Sequence, residues 1–285
     1  MSEFFTFLLA GLSTGALYAL LAMPMVLIWS TTDVLDLNVG GYCIIAGMVA
    51  ATMGGLTGVF VGILAAVAAG LLTAVVFLVF HRFWDIKEPM RIVLATFGLL
   101  FIVQAVLQSR VGTDNLYLNA VGGQIKFGGV NVSAQGLVNL TVAAGMLALL
   151  VGVLQFTSAG LKMRAAALSP TPAQLVGIRV RRTQFVTFVF GAFIAGLVGI
   201  LAATTVGVSY SRGIQLTTLA FSAVIIFGIQ GPARAFAGGI ALGVAQALGA
   251  GYLPNGWADA VAPIVIVLVL TFGSFQSHSV DRIRA

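Results

Sequence analysis

Eight stretches of this chain contain no Asp, Glu, Lys or Arg: 4–32, 37–80, 92–109, 134–157, 183–211, 213–233, 235–258 and 260–280. Runs of that length are the strongest constraint on the fold. A soluble domain needs about a quarter of its residues charged to cover its surface. This chain of 285 residues is 8% charged and 60% hydrophobic, with a mean hydropathy of +1.09. Its solvent is therefore largely lipid. A helix needs about 20 apolar residues to cross the hydrocarbon core, so the 44 residues of 37–80 are enough for two crossings. The runs are apolar all round, which excludes a transmembrane β-barrel with its short alternating segments. The reading is an all-α integral membrane protein, a polytopic bundle of about 8–10 transmembrane helices. The helices are placed at 4–29, 38–55, 57–80, 91–109, 134–157, 183–207, 215–230, 235–252 and 258–274.

The first run is expected to stay as helix one, because Met1-Ser2-Glu3 is no basic leader and the apolar part is too long for a signal peptide. A lone cysteine, Cys43, excludes an internal disulfide and a cysteine-based metal site. The pI near 10.0 reads as the positive-inside bias of a membrane protein, and no nucleic-acid partner is expected.

That bias sets an orientation. Segment 158–182 holds Lys162, Arg164, Arg179, Arg181 and Arg182 with no acidic residue, which places it in the cytoplasm. Counting crossings outward puts 81–91 (Arg82, Lys87, Arg91) and the tail (Arg282, Arg284) inside as well. The 110–133 loop and the N-terminus then lie outside. The chain is expected to be a single transmembrane domain over 1–285 with a cytoplasmic segment over 158–182. It is expected to be multi-pass in the plasma (inner) membrane, with lipid as a partner.

Two units have the same order. A Gly-bearing helix one is followed by the polar break Ser30-Thr31-Thr32-Asp33 and a short helix near Asn38; helix six is followed by Ser209-Tyr210-Ser211-Arg212-Gly213 and a short helix at Thr217. By the crossing count the units start on opposite sides, which is the pattern of an inverted repeat. Interrupted segments at matching places in two halves are the best sequence pointer to a transport pathway. The pathway candidates are accordingly Asp36, Asn38, Gly40, Gly41, Thr217 and Thr218. A simpler reading of Asp36 or Asn38 stands beside this one: either could cap helix two.

Gly11–Gly15, Gly54–Gly58, Gly58–Gly62 and Gly239–Gly243 have the spacing that lets helices approach closely in lipid. Acidic residues at mid-depth, which an ion-coupled secondary transporter would be expected to carry, are not visible in the runs. A membrane enzyme is disfavoured by only two histidines, His81 and His278, and by the lack of metal-ligand spacing. In the basic segment, Leu161 to Leu168 reads as helix, Pro170 and Pro172 interrupt it, and a second short helix stops at Gly177. Such an element could lie on anionic lipid or dock into a partner's groove.

Four places, in order, resemble the membrane subunit of a branched-chain amino acid-type (Liv family) ABC importer. Gly11 to Leu20 (GLSTGALYAL) resembles the family's opening helix. Val34 to Gly41 (VLDLNVGG) resembles its V-L-N-F-A-H-G turn. Ala165-Ala166-Ala167 through Gly177-Ile178 resembles its coupling loop. Phe227 to Gly239 (FGIQGPARAFAGG) resembles its G-G-x-G-S-x-x-G-A-x-x-G-G segment. Asp36, Val39, Gly40, Leu168-Ser169 and Arg234 depart from the pattern, as in a divergent branch, so leucine-type substrates are not assumed.

The resemblance implies a non-catalytic permease subunit forming half of the passage of an ATP-driven importer. Its solute would be a branched-chain or hydrophobic amino acid, a urea-like amide or an aromatic acid. Implied partners are a second, homologous permease subunit, two ABC ATPase subunits and an extracytoplasmic solute-binding protein. ATP and Mg would be bound by those ATPase subunits, with no cofactor in this chain. Lys162, Arg164, Ala165, Ala166, Leu175, Gly177 and Ile178 would meet the ATPase.

Overall fold

The computed structural model describes residues 2–83, 89–119, 123–127, 130–168, 170–229, 231–252 and 257–272. Lys87, Ser169, His278, Arg282 and Arg284, which entered the reading above, lie outside the described residues. Along the chain run α1 (Ser2–Thr32), α2 (Val39–Met53), α3 (Gly55–Phe83), α4 (Pro89–Val111), a hairpin of β1 (Gln124–Phe127) and β2 (Val130–Ser133), and α5 (Ala134–Phe156). They are followed by α6 (Ser158–Leu168), α7 (Pro170–Leu175), α8 (Val180–Thr205), α9 (Arg212–Ile226), α10 (Pro232–Tyr252) and α11 (Trp257–Phe272). Each of the nine expected membrane helices is present.

Their lengths are unequal. Among the described residues six helices are long and apolar enough to cross a membrane, while α2, α9 and the apolar part of α11 are shorter. At 1.5 Å per residue a helix of 15 residues is about 22 Å long, short of the hydrocarbon core of about 30 Å. So α2 and α9 are half-helices, each starting or ending at depth. Irregular backbone at that depth must be covered by protein.

The helices alternate in direction. Gly58 and Gly62 of α3 lie against Ala50 and Ala46 of α2, so the numbers run in opposite senses; Gly54, at φ +66°, makes the turn between them. By the same test α1 is antiparallel to α10 (Gly11 on Val244, Gly15 on Ile240) and α3 to α8 (Gly196 on Ala66, Gly70 on Ala192).

The contacts pair off between the two units. α1 packs on α10 as α8 packs on α3, α2 on α8 as α9 on α1, and α2 on α3 as α9 on α10. The pairs α1–α8 and α2–α9 map onto themselves. This is the inverted repeat, α1–α3 against α8–α10. Of the long helices α8 is the most enclosed, with 61% of its span buried, and α5 the least, with 22%. Leu56, Phe60 and Leu64 on α3 and Leu94 and Ile102 on α4 are exposed and form apolar outer faces.

Candidate solute passage

The two half-helices meet end against end. Gly40 of α2 lies so close to Gly213 of α9 that a β-carbon on Gly40 would overlap the Gly213 carbonyl oxygen. Around this crossing the polar side chains at the inner end of the break are covered: Asp36 and Asn38 are 0% and 1% exposed, while Asp33 at its outer end is exposed. Asp33 ends α1 in the left-handed region, at φ 54°, a conformation that Asp tolerates better than most residues.

Most polar groups of the break find partners, on four different elements, and Asn38 Oδ1 is buried without one. The Asn38 N–H donates to Asp36 Oδ1 at 2.9 Å, and the Tyr42 hydroxyl donates to Asp36 Oδ2 at 2.7 Å. The Leu37 N–H donates to Thr96 Oγ1 of α4 at 3.2 Å, and Asn38 Nδ2 donates to Thr73 Oγ1 of α3 at 3.2 Å. Thr217 Oγ1 of α9 accepts the Gly40 N–H at 3.1 Å and lies 3.0 Å from the Leu37 carbonyl oxygen.

The capping expectation is corrected here. Asn38 stands at the N-cap of α2 but its side chain makes no cap bond. Its amide is engaged by Thr73, and the orphan N–H of Gly40 is satisfied instead by Thr217, from the other repeat. Asp36, Asn38, Gly40, Gly41 and Thr217 thus come together in a closed knot. Thr218 does not join it; its hydroxyl donates to Ile214 of its own helix.

A cavity of about 310 Å³ lies beside this knot, where α1, α8, α9 and α10 meet. Thr14, Leu17, Tyr18 and Leu21 supply one helical stripe from α1; Arg212, Gln215, Leu216 and Leu219 supply another from α9. The Tyr18 hydroxyl donates a short hydrogen bond to Gln246 Oε1 of α10. Arg212 is the only charged residue in this lining. It is half-buried, at the start of α9, where the helix dipole adds further positive potential.

None of the six pathway candidates lines this cavity. The lining itself was legible as two stripes with i, i+3, i+4, i+7 spacing. Its polar end is hidden in the sequence because Arg212 stands in the polar break Ser209-Tyr210-Ser211-Arg212-Gly213, whereas the structure makes it the first residue of α9.

At the far end of α8 the basic segment folds into an elbow of α6 and α7. Pro170 opens α7, where its missing N–H is harmless. The helix ends in a Schellman motif: Gly177 N–H to Gln174 O at 3.0 Å and Ile178 N–H to Ala173 O at 3.0 Å, with Gly177 at φ +83°. Ala166, Ala173 and Val180 form a small core with Ile178 against them. Ala166 is buried at 1%, whereas Leu175 and Val176 stand 84% and 77% exposed at the tip. Lys162, Arg164 and Gly177 are exposed, and Ala165 is half-buried. Of the expected contact residues, then, Leu175 and Gly177 are presented and Ala166 is turned inward.

A membrane bundle of two inverted units, each broken by a half-helix and with a cavity between the units, is the architecture of a transport protein. The chain belongs to the family described as branched-chain amino acid transport system / permease component, which matches residues 7–270. It is 27% identical to the high-affinity branched-chain amino acid transport system permease protein LivH of Escherichia coli K12, over 95% of each chain. It is 26% identical to the corresponding protein BraD of Pseudomonas aeruginosa, over 93% of this chain and 92% of that one. It is thus a permease component, an integral protein of the inner membrane.

Proposed function

We propose that this permease forms one half of the passage of an ATP-driven importer, beside a second, homologous permease subunit. Two ATPase subunits on the cytoplasmic side would bind ATP and Mg, and an extracytoplasmic solute-binding protein would deliver the solute. The chain itself carries no catalytic residue in this reading. Its work is mechanical: ATP must bind one state of the assembly better than the other to shift the bundle between them.

The observation that carries this reading is the α6–α7 elbow. A short helix locked by proline at one end and a Schellman stop at the other, with its own small core, is a rigid knob. Leu175 and Val176 at its tip have no apolar cover in this chain, which suits a partner's groove. Lys162, Arg164, Gly177 and Ile178 flank the contact, while Ala165 and Ala166 act from behind it by holding α6 to α7. Asp36, Asn38, Gly40, Gly41 and Thr217 belong to the passage as the junction at which the two half-helices shift against each other, and Thr218 stands outside it.

Affinity-tagged chain purified from native membranes should bring an ATP-hydrolysing partner with it. Leu175→Asp combined with Val176→Asp should remove that partner while the chain still inserts. Replacing Arg179, Arg181 and Arg182 by Gln should leave it bound. Loss of the partner only in the arginine variant would identify the elbow as a lipid anchor, and no ATP-hydrolysing partner at all would reject the importer reading.

A further inference from the structure

The cavity between α1, α8, α9 and α10 has an unbalanced lining. Among the described residues it contains a guanidinium, from Arg212, and no carboxylate. The remaining polar groups are neutral: the Tyr18 hydroxyl, the side-chain amides of Gln215 and Gln246, and the Thr14 hydroxyl. The rest is apolar, with Leu17, Leu21, Val198, Leu216 and Leu219 on the walls.

A half-buried cation with no anion beside it is held at a desolvation cost. An incoming anion removes that cost and gains a charge-assisted bond about twice as strong as a neutral one. The first-turn amides of α9 favour the same sign of charge, since Ser211 at its N-cap makes no side-chain cap bond. Gln246 gives its oxygen to Tyr18, which leaves its amide nitrogen as a further donor. Guanidinium, helix N-terminus and amide are all donors. A volume of about 310 Å³ is at the small end of the usual range of roughly 300–1,000 Å³ for ligand sites.

We propose that this cavity is a way-station for solutes that carry a carboxylate on a small apolar body, with Arg212 holding the carboxylate and the leucine wall the body. This rests on the transport reading above and narrows it. Among the three solute classes left open by the sequence it favours carboxylates over urea-like amides, and it disfavours cationic solutes.

Cysteine chemistry in native membranes tests the idea without needing turnover. Val206→Cys places a thiol on the lining, and the native Cys43 is buried and serves as the silent background. Anionic sulfonatoethyl and cationic trimethylammonioethyl methanethiosulfonates would be compared, each normalised to its rate with a free thiol. The anionic reagent should react about tenfold faster, the lower bound for a cleft that concentrates one sign of charge. Arg212→Gln should bring the ratio to near unity. Leucine and 4-methylpentanoate at millimolar concentration should each slow labelling, leucinamide should not, and Arg212→Gln should abolish the protection.

A ratio near unity with Arg212 present would overturn the proposal. So would no protection by either carboxylate, equal protection by leucinamide, or protection that survives Arg212→Gln. Normal ATP-driven uptake together with charge-blind labelling would fault this site alone. The expected labelling pattern without any ATP-driven uptake would fault the importer reading instead.

Discussion

Thr217 performs for α2 the task that a residue just ahead of a helix ordinarily performs from within its own segment. Its hydroxyl is the acceptor for the buried Gly40 N–H and lies 3.0 Å from both the Leu37 and the Gly213 carbonyl oxygens. Thr217→Val keeps the shape and strips the hydroxyl, leaving the buried Gly40 N–H unpaired at about 1–3 kcal/mol. Thr217→Ser keeps the oxygen and should stay near wild type. Thermal unfolding of both variants in detergent checks this, and equal midpoints would show that the hydroxyl is idle. At this scale the sequence was only partly legible. It marked Asp36, Asn38 and Thr217 as belonging to breaks, but a cap supplied from 177 residues away leaves no local signature. Arg212 is visible as a charge within the polar break 209–213, but that it opens α9 and faces the cavity has no local signature. Arg91 and Arg234, likewise placed outside or at the edge, fall inside α4 and α10.

Between elements, two of the glycine pairs of the sequence, Gly11–Gly15 and Gly239–Gly243, turn out to be two sides of one seam. Gly11 and Gly15 of α1 pack against the backbone of α10 around Gly239 and Gly243, with a hypothetical β-carbon on Gly11 only 2.7 Å from Val244 Cα and one on Gly15 only 2.9 Å from Ile240 Cα. Apolar burial supplies little drive between helices in lipid, so close backbone approach has to supply it. Gly15→Val or Gly243→Val should push α1 from α10 and destabilise the bundle by about 1–3 kcal/mol or more, as overpacking does. Gly98 of α4 has nothing within 4 Å of such a carbon. Gly98→Ala should therefore be neutral or stabilising by up to about 1 kcal/mol, through helix propensity alone. The fraction of each variant remaining monodisperse after heating in detergent measures both. If Gly15→Val and Gly98→Ala behave alike, the seam is not close-packed. The small-xxx-small spacing disclosed that these glycines pack, and nothing in it disclosed on which helix. The helices themselves were legible because length and apolar composition are local properties. The shortness of the helix after Asn38 was legible too, with its end placed at 55; the structure ends α2 at Met53 and turns at Gly54.

For the molecule as a whole, orientation in the membrane follows from which end of the bundle collects cations. The elbow end shows Lys162, Arg164, Arg179, Arg181 and Arg182, all exposed and with no acidic residue among them. The opposite end is marked by the backbone pairing of Leu116 with Val208, where Arg110 is accompanied by Asp114. Between the two ends lies α8, whose 26 residues span about 39 Å, enough to cross the hydrocarbon core. The positive-inside rule then puts the elbow in the cytoplasm and the cavity's end outside. Two exposed positions report the sides: Leu175 at the tip of α7, and Asn115 beside the Leu116 bridge. With buried Cys43 as the only native thiol, a membrane-impermeant maleimide should label Asn115→Cys in intact cells and Leu175→Cys only in inverted vesicles. The reverse pattern would turn the molecule over and set the elbow beyond reach of any cytoplasmic ATPase. Labelling of both from one side would mean that α8 does not cross, which its 26 apolar-rich residues and its place at the centre of the bundle argue against.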